Sequence, residues 1–236
     1  MGPDGSPDRR REDATAAVRI MVRPVGSPLP LGFFAFGVAI LVLSALELSW
    51  IGAGETHSVA VVILTFAGPA EALAAIVAYL SRDTAGATGL TVFTVSWFTV
   101  GVPMLLGPAG GTSHTEGVFL IALAAVVALL AATSFQAKPL FGALLSLATA
   151  RFALTAIYQF AGSRPLAIAA GIVGLVNGAF ALYGGVALLL EDVKQRSVLP
   201  IGRRGEARSW LDETEEEHVA RQSSRVRREA GVRHQL

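Results

Sequence analysis

The chain has 236 residues, a formal net charge of +1 and no cysteine; 53% of its residues are hydrophobic and 16% charged, with a mean hydropathy of +0.56. Most of the charges fall in the first 23 and the last 46 residues, a segregation that makes lipid the solvent of what lies between. The near-neutral balance argues against nucleic acid as a partner, and without cysteine neither disulfides nor thiolate metal sites are available.

In chain order, residues 1–26 are rich in Pro, Gly, Asp and Arg, lack the apolar run of a secretory signal, and are expected to be a disordered tail. At 27–37, "SPLPLGFFAFG" opens the first apolar stretch; its prolines suit a first helical turn, where the missing N–H groups have no partner anyway. Runs of about 20 apolar residues, enough to cross ~30 Å of hydrocarbon, are expected near Leu31–Trp50, Ser58–Leu80, Gly89–Leu106, Gly117–Phe135, Pro139–Ala161 and Leu166–Leu190. Only short turns separate them, such as "SRDTAG" at 81–86 and "QAK" at 136–138. The predicted fold is all-α, a polytopic membrane protein whose six-helix bundle covers residues 27–202. Residues 203–236 form a charged tail in which Glu217 and Arg221 stand at i, i+4 spacing.

Orientation follows from the basic residues. The N-terminal tail carries Arg9, Arg10, Arg11, Arg19 and Arg23; the second and fourth loops hold Arg82 and Lys138; Lys194 and Arg196 follow the last span. Loops one and three have no Lys or Arg, and loop five only Arg164. Both termini are therefore expected in the cytoplasm, with the protein in the plasma or inner membrane. The four histidines lie in loops or tails without ligand spacing. No cofactor, metal site or catalytic constellation is expected, and hence no enzyme.

Inside the spans, and setting Glu47 aside as interfacial, the polar side chains that stand out are Glu71, Arg151 and Asn177. At ~1.5 Å per residue they lie ~14, ~18 and ~20 Å deep, close to the midplane, where ionisable groups default to functional candidates. Two readings stay open. Glu71 and Arg151 form an ion pair tying two helices together, or they line a polar waist around a substrate path. "FAGPAEA" at 66–72 favours the second: Pro69 removes a helix donor, and Glu71 is expected in the first turn after the resulting break, as at the interrupted helices of transporters. In the sixth span, Gly171, Gly174, Gly178 and Gly185 make a small-residue face for close helix approach. Asn177 beside it reads equally as interhelical link or pore lining.

"SPLPLGFFAFG", together with "SVLPIG" at 197–202, resembles the acetate uptake transporter family, the succinate–acetate permeases. "RDTAGATGLTVFTVSW" at 82–97 and "AGIVGL" at 170–175 match further signatures of that family, and the similarity covers about residues 27–202. The hallmark N-P-A-P-L-G begins here at Ser27, followed by Pro28, Pro30 and Gly32. The resemblance implies a six-helix protomer assembled as a homohexamer in the lipid bilayer. A path through each protomer would pass acetate and related small carboxylates, by proton symport or channel-like passage. It further implies a constriction at Phe36, at Phe93 where the family has Tyr, and at Ala148, or Leu147 if the register shifts by one, where it has Leu. Glu71 replaces a Gln common in the second span. Losing the Tyr hydroxyl and the hallmark Asn amide while gaining a carboxyl keeps a second function in play, a channel for small neutral solutes such as urea, amides or ammonia.

Overall fold

The computed structural model describes residues 26–136, 138–194 and 196–202; both expected tails, apart from Gly26, lie outside the described residues. Seven α-helices follow in order: α1 (Leu29–Glu47), α2 (Thr56–Val62), α3 (Gly68–Leu80), α4 (Thr84–Leu106), α5 (His114–Ser134), α6 (Pro139–Ala161) and α7 (Arg164–Lys194). A 3-10 turn at Ala53–Glu55 leads into α2, and a π-helical turn at Ile63–Ala67 joins α2 to α3, so these pieces make one span, Ala53–Leu80. The described residues thus contain six stretches long and apolar enough to cross a membrane and no strand.

The helices are apolar on all sides, as lipid requires. Leu73, Ile76, Leu80, Val118 and Leu129 point outward, while Ala39, Ile63, Val127, Leu145 and Ala156 are fully buried between helices. Polar caps mark where chain meets water. Asp83 accepts the Gly86 N–H at 3.1 Å at the start of α4, and Ser113 accepts the Glu116 N–H at 3.3 Å at the start of α5. Gly162, left-handed at φ 60°, ends α6.

α1 packs along α7 through glycines on both. A Cβ on Gly37 would sit 3.0 Å from Leu182, one on Gly178 2.7 Å from Leu41, one on Gly171 2.8 Å from Leu48 and one on Gly185 2.7 Å from Phe34. The small-residue face of the sixth span therefore receives α1. α3 pairs with α4, and α5 with α6.

Loop contacts sort the two ends of the bundle. Lys138 in the fourth loop pairs with Asp83 in the second. At the opposite end, His57 after the first loop bonds the Gly107 carbonyl of the third, and Gln159 accepts the Ser113 N–H at 2.9 Å. Arg164 in the fifth loop donates to the Glu47 carbonyl at 2.9 Å and to Ser49 at 2.6 Å. Even loops share one end and odd loops the other.

The expected break at Pro69 is not a break. Every residue from Val62 to Gly68 whose dihedrals cap the π turn stays right-handed helical, and the Gly68 N–H reaches back five residues to the Ile63 carbonyl. Widening one turn absorbs the missing proline donor without unwinding the chain. Glu71 consequently lies within a continuous span, with no free half-helix end beside it.

Candidate functional site

The opening motif builds one wall of the bundle interior. Ser27 is exposed and Pro28 caps α1, its carbonyl accepting the Gly32 N–H at 3.3 Å. Pro30 falls in the first turn, and Gly32 lets Leu90 of α4 pack directly on the α1 backbone. The three phenylalanines then part company. Phe33 meets Phe141 of α6 at 6.0 Å, Phe34 covers Gly185 of α7, and Phe36 turns toward α4.

At α4 Phe36 finds Phe93, with ring centroids 4.9 Å apart, and Trp97 at 5.9 Å; Phe93 in turn meets Phe152 of α6 at 6.1 Å. Offset and tilted geometries at these separations are those aromatic rings favour. Phe36, Phe93, Trp97 and Ala148 are all nearly fully buried, and all sit ~10–20 Å along their helices from the even-loop end. Leu147 is only half-buried, so of the two neighbours Ala148 is the one that faces the interior. Trp97 and Phe152 join this aromatic layer without having been singled out in the sequence. Their signal was available: Trp97 follows Phe93 by four residues and Phe152 follows Ala148 by four, one helical turn on the same face.

The polar groups arrange themselves otherwise than their depth alone suggested. Arg151 does not pair with Glu71. Its Nη2 donates to both carboxylate oxygens of Glu47 at 2.8 Å each. Glu47 ends α1 near the odd-loop end, beyond the depth of the Arg151 backbone, and the long arginine stem carries its charge there. Counted along the backbone Glu47 is interfacial, but the reach of the arginine side chain draws its carboxylate into the interior pair. Gly174 admits the guanidinium: a Cβ there would lie 2.7 Å from Arg151 Nε and would collide with Ser44 Oγ.

Glu71 is 0% exposed and neither oxygen has a hydrogen-bond partner. The buried Trp97 indole N–H is likewise without a hydrogen-bond partner. Asn177, also 0% exposed, bridges α7 to α6. With its amide oriented by the surrounding donors and acceptors, it donates to the Leu144 carbonyl at 3.3 Å and accepts the Ala148 N–H at 3.2 Å. It thus holds the backbone of α6 at the level where Ala148 faces inward. Among the described residues no three His, Asp or Glu side chains converge as metal ligands would.

On the odd-loop side of the aromatic layer lies a cavity of about 20 Å³, whose lining includes Leu43, Trp97, Glu116, Arg151, Phe152 and Thr155. At the even-loop end, the C-terminal "SVLPIG" folds back on the bundle. Tyr183 donates to the Pro200 carbonyl at 2.9 Å, Ile201 is buried, and Gly202 lies against Pro139. The two stretches that carry the family resemblance thus lie at the same end of the bundle.

Residues 13–201 match the model of the GPR1/FUN34/yaaH family. The chain is 29% identical over 183 residues to the succinate-acetate/proton symporter SatP of Escherichia coli K12, a match covering 75% of this chain and 96% of that one. The same symporter of Shigella flexneri matches equally. The solved structure of the bacterial acetate channel SatP superposes with a TM-score of 0.68 at 26% identity, covering 75% of this chain and 99% of the other. With six apolar spans and relatives of this kind, the protein is a multi-pass membrane protein. It belongs to the GPR1/FUN34/yaaH family.

Proposed function

We propose that this protein carries acetate and related small monocarboxylates across a cell membrane, by proton symport or channel-like passage through each protomer. The observation that carries this reading is the near-complete overlap with a succinate-acetate/proton symporter, over 96% of its length. Geometry supports it: Phe36 and Phe93 meet at 4.9 Å inside a single protomer, an apolar layer that strips hydrated ions yet accepts a methyl group or a neutral acid. Ala148 lines the same level, and Asn177 holds its backbone. Glu71, enclosed and without a cation, is the group whose protonation state a carboxylate passing nearby would sense.

The even-loop end is assigned to the cytoplasm and the protein to the plasma or inner membrane, because Arg82, Lys138, Lys194 and Arg196 gather at that end. Protomers associate as a homohexamer, with the outward apolar faces of the helices shared between lipid and neighbouring copies. The test is uptake by proteoliposomes of labelled acetate against urea, with and without a pH gradient. Saturable acetate uptake, faster than urea, is expected; urea passage without acetate passage would hand the protein to the neutral-solute reading.

A further inference from the structure

The cavity beyond the aromatic layer has a lining unlike the rest of the interior. Arg151 is 2% exposed. Glu47 occupies only its Nη2, and its Nε has no partner. One turn further along α6, on the same face, the buried Thr155 hydroxyl is also without a partner. Both residues line the cavity, with the Trp97 and Phe152 rings as walls. Buried donors left unsatisfied are rare and call for an explanation. A cation in a largely apolar enclosure is the strongest available partner for a carboxylate, and guanidinium–carboxylate hydrogen bonds are among the strongest in proteins.

We infer that Arg151 and Thr155 form a carboxylate-binding station on the odd-loop side of the Phe36–Phe93 layer. Glu47 holds the guanidinium in place from its other edge and acts as a positioning residue. The inference rests on the transport reading and deepens it: the aromatic layer sorts substrates by the size of the apolar end, and this station recognises the charged end. At about 20 Å³ the cavity as it stands holds about one water. A carboxylate arriving there displaces that water as the Trp97 or Phe152 ring moves aside. Glu116 faces the same space, and its charge opposes an incoming anion.

Initial rates of labelled acetate uptake by proteoliposomes, measured over a range of concentrations, test this. Thr155→Val should raise KM several-fold, and Glu47→Gln/Arg151→Met should raise it about tenfold or more, as expected for losing a charge-assisted hydrogen bond. The double variant is chosen because it leaves no buried charge unpaired. Glu116→Gln should lower KM. In each case Vmax per total protein stays close to that of the unmodified chain, whereas a purely structural role would lower it at constant KM. Saturable uptake by the unmodified protein with KM unmoved in all three variants overturns the station alone and leaves water as the cavity's occupant. Absence of any acetate uptake by the unmodified protein overturns the transport reading and the station with it.

Discussion

Two of the carboxyl groups inside this bundle, Glu47 and Glu71, have opposite surroundings. Glu47, near the odd-loop end, has both oxygens on the Arg151 guanidinium and its backbone carbonyl on Arg164. Glu71, in the middle of the second span, has neither a cation nor a hydrogen bond. The first region is an ion pair made tight by a glycine seam. The second is a fully buried carboxyl without a hydrogen-bond partner. The contrast teaches that depth alone does not assign a role to an intramembrane acid. What matters is which charges its neighbours can bring to it, and a side chain as long as arginine's can bring charge from a quarter of a bilayer away.

The sharpest way to break the comparison is to strip Glu47 of its cation. Arg151→Met should lower stability by about 3–5 kcal/mol, since it leaves a buried carboxylate uncompensated, while Glu47→Gln/Arg151→Met should recover most of the loss. Thermal unfolding in detergent reads both. If the single variant is as stable as the double, the pair is not a pair in solution. Gly174→Ala attacks the same region through packing. Its Cβ would collide with Ser44 Oγ and crowd Arg151 Nε at 2.7 Å, and a loss of about 1–3 kcal/mol is expected for such overpacking, read by the same melt.

Around the second region the effects are on selectivity. With Ala148 in place of a larger aliphatic residue, propionate and butyrate should pass nearly as well as acetate. Ala148→Leu should restore bias toward acetate by up to about fourfold per substrate methylene, the equivalent of ~0.8 kcal/mol. Leu147→Ala, on the half-buried neighbour, should change the acetate-to-butyrate ratio little. Competition assays with the three acids decide between them, and a larger effect of Leu147→Ala would move the layer by one residue.

The smallest change in stability is expected at Glu71. Glu71→Gln is nearly isosteric and removes no hydrogen bond, so unfolding should shift by less than the ~1–3 kcal/mol expected for Gly174→Ala. Its signature lies in the pH profile. In the unmodified protein, uptake should rise as pH falls, because a protonated Glu71 no longer repels a carboxylate; in Glu71→Gln that slope should flatten. An unchanged slope in a well-folded variant would show that another group titrates.

By itself, the sequence determined the six spans, because runs of apolar residues some 20 long have no other stable home than a bilayer or a deep core. It also determined which loops share an end, since alternating spans leave no freedom there, and it carried the two motifs that place Phe36 and Phe93 on facing helices. Helical periodicity further marked Gly171, Gly174 and Gly178 as a close-packing face. Three things were decided only in three dimensions. Pro69 is accommodated by a π turn rather than a break, because the neighbouring α4 holds the chain in place: Gly68 and Gly101 sit tightly against Phe98 and Leu64. Asn177 became a link to the α6 backbone because packing against α6 put the Leu144 carbonyl and the Ala148 N–H within its reach. Arg151 chose Glu47 over Glu71 because ion pairing depends on where the charged tips meet, and a linear depth scale records only where the backbones are.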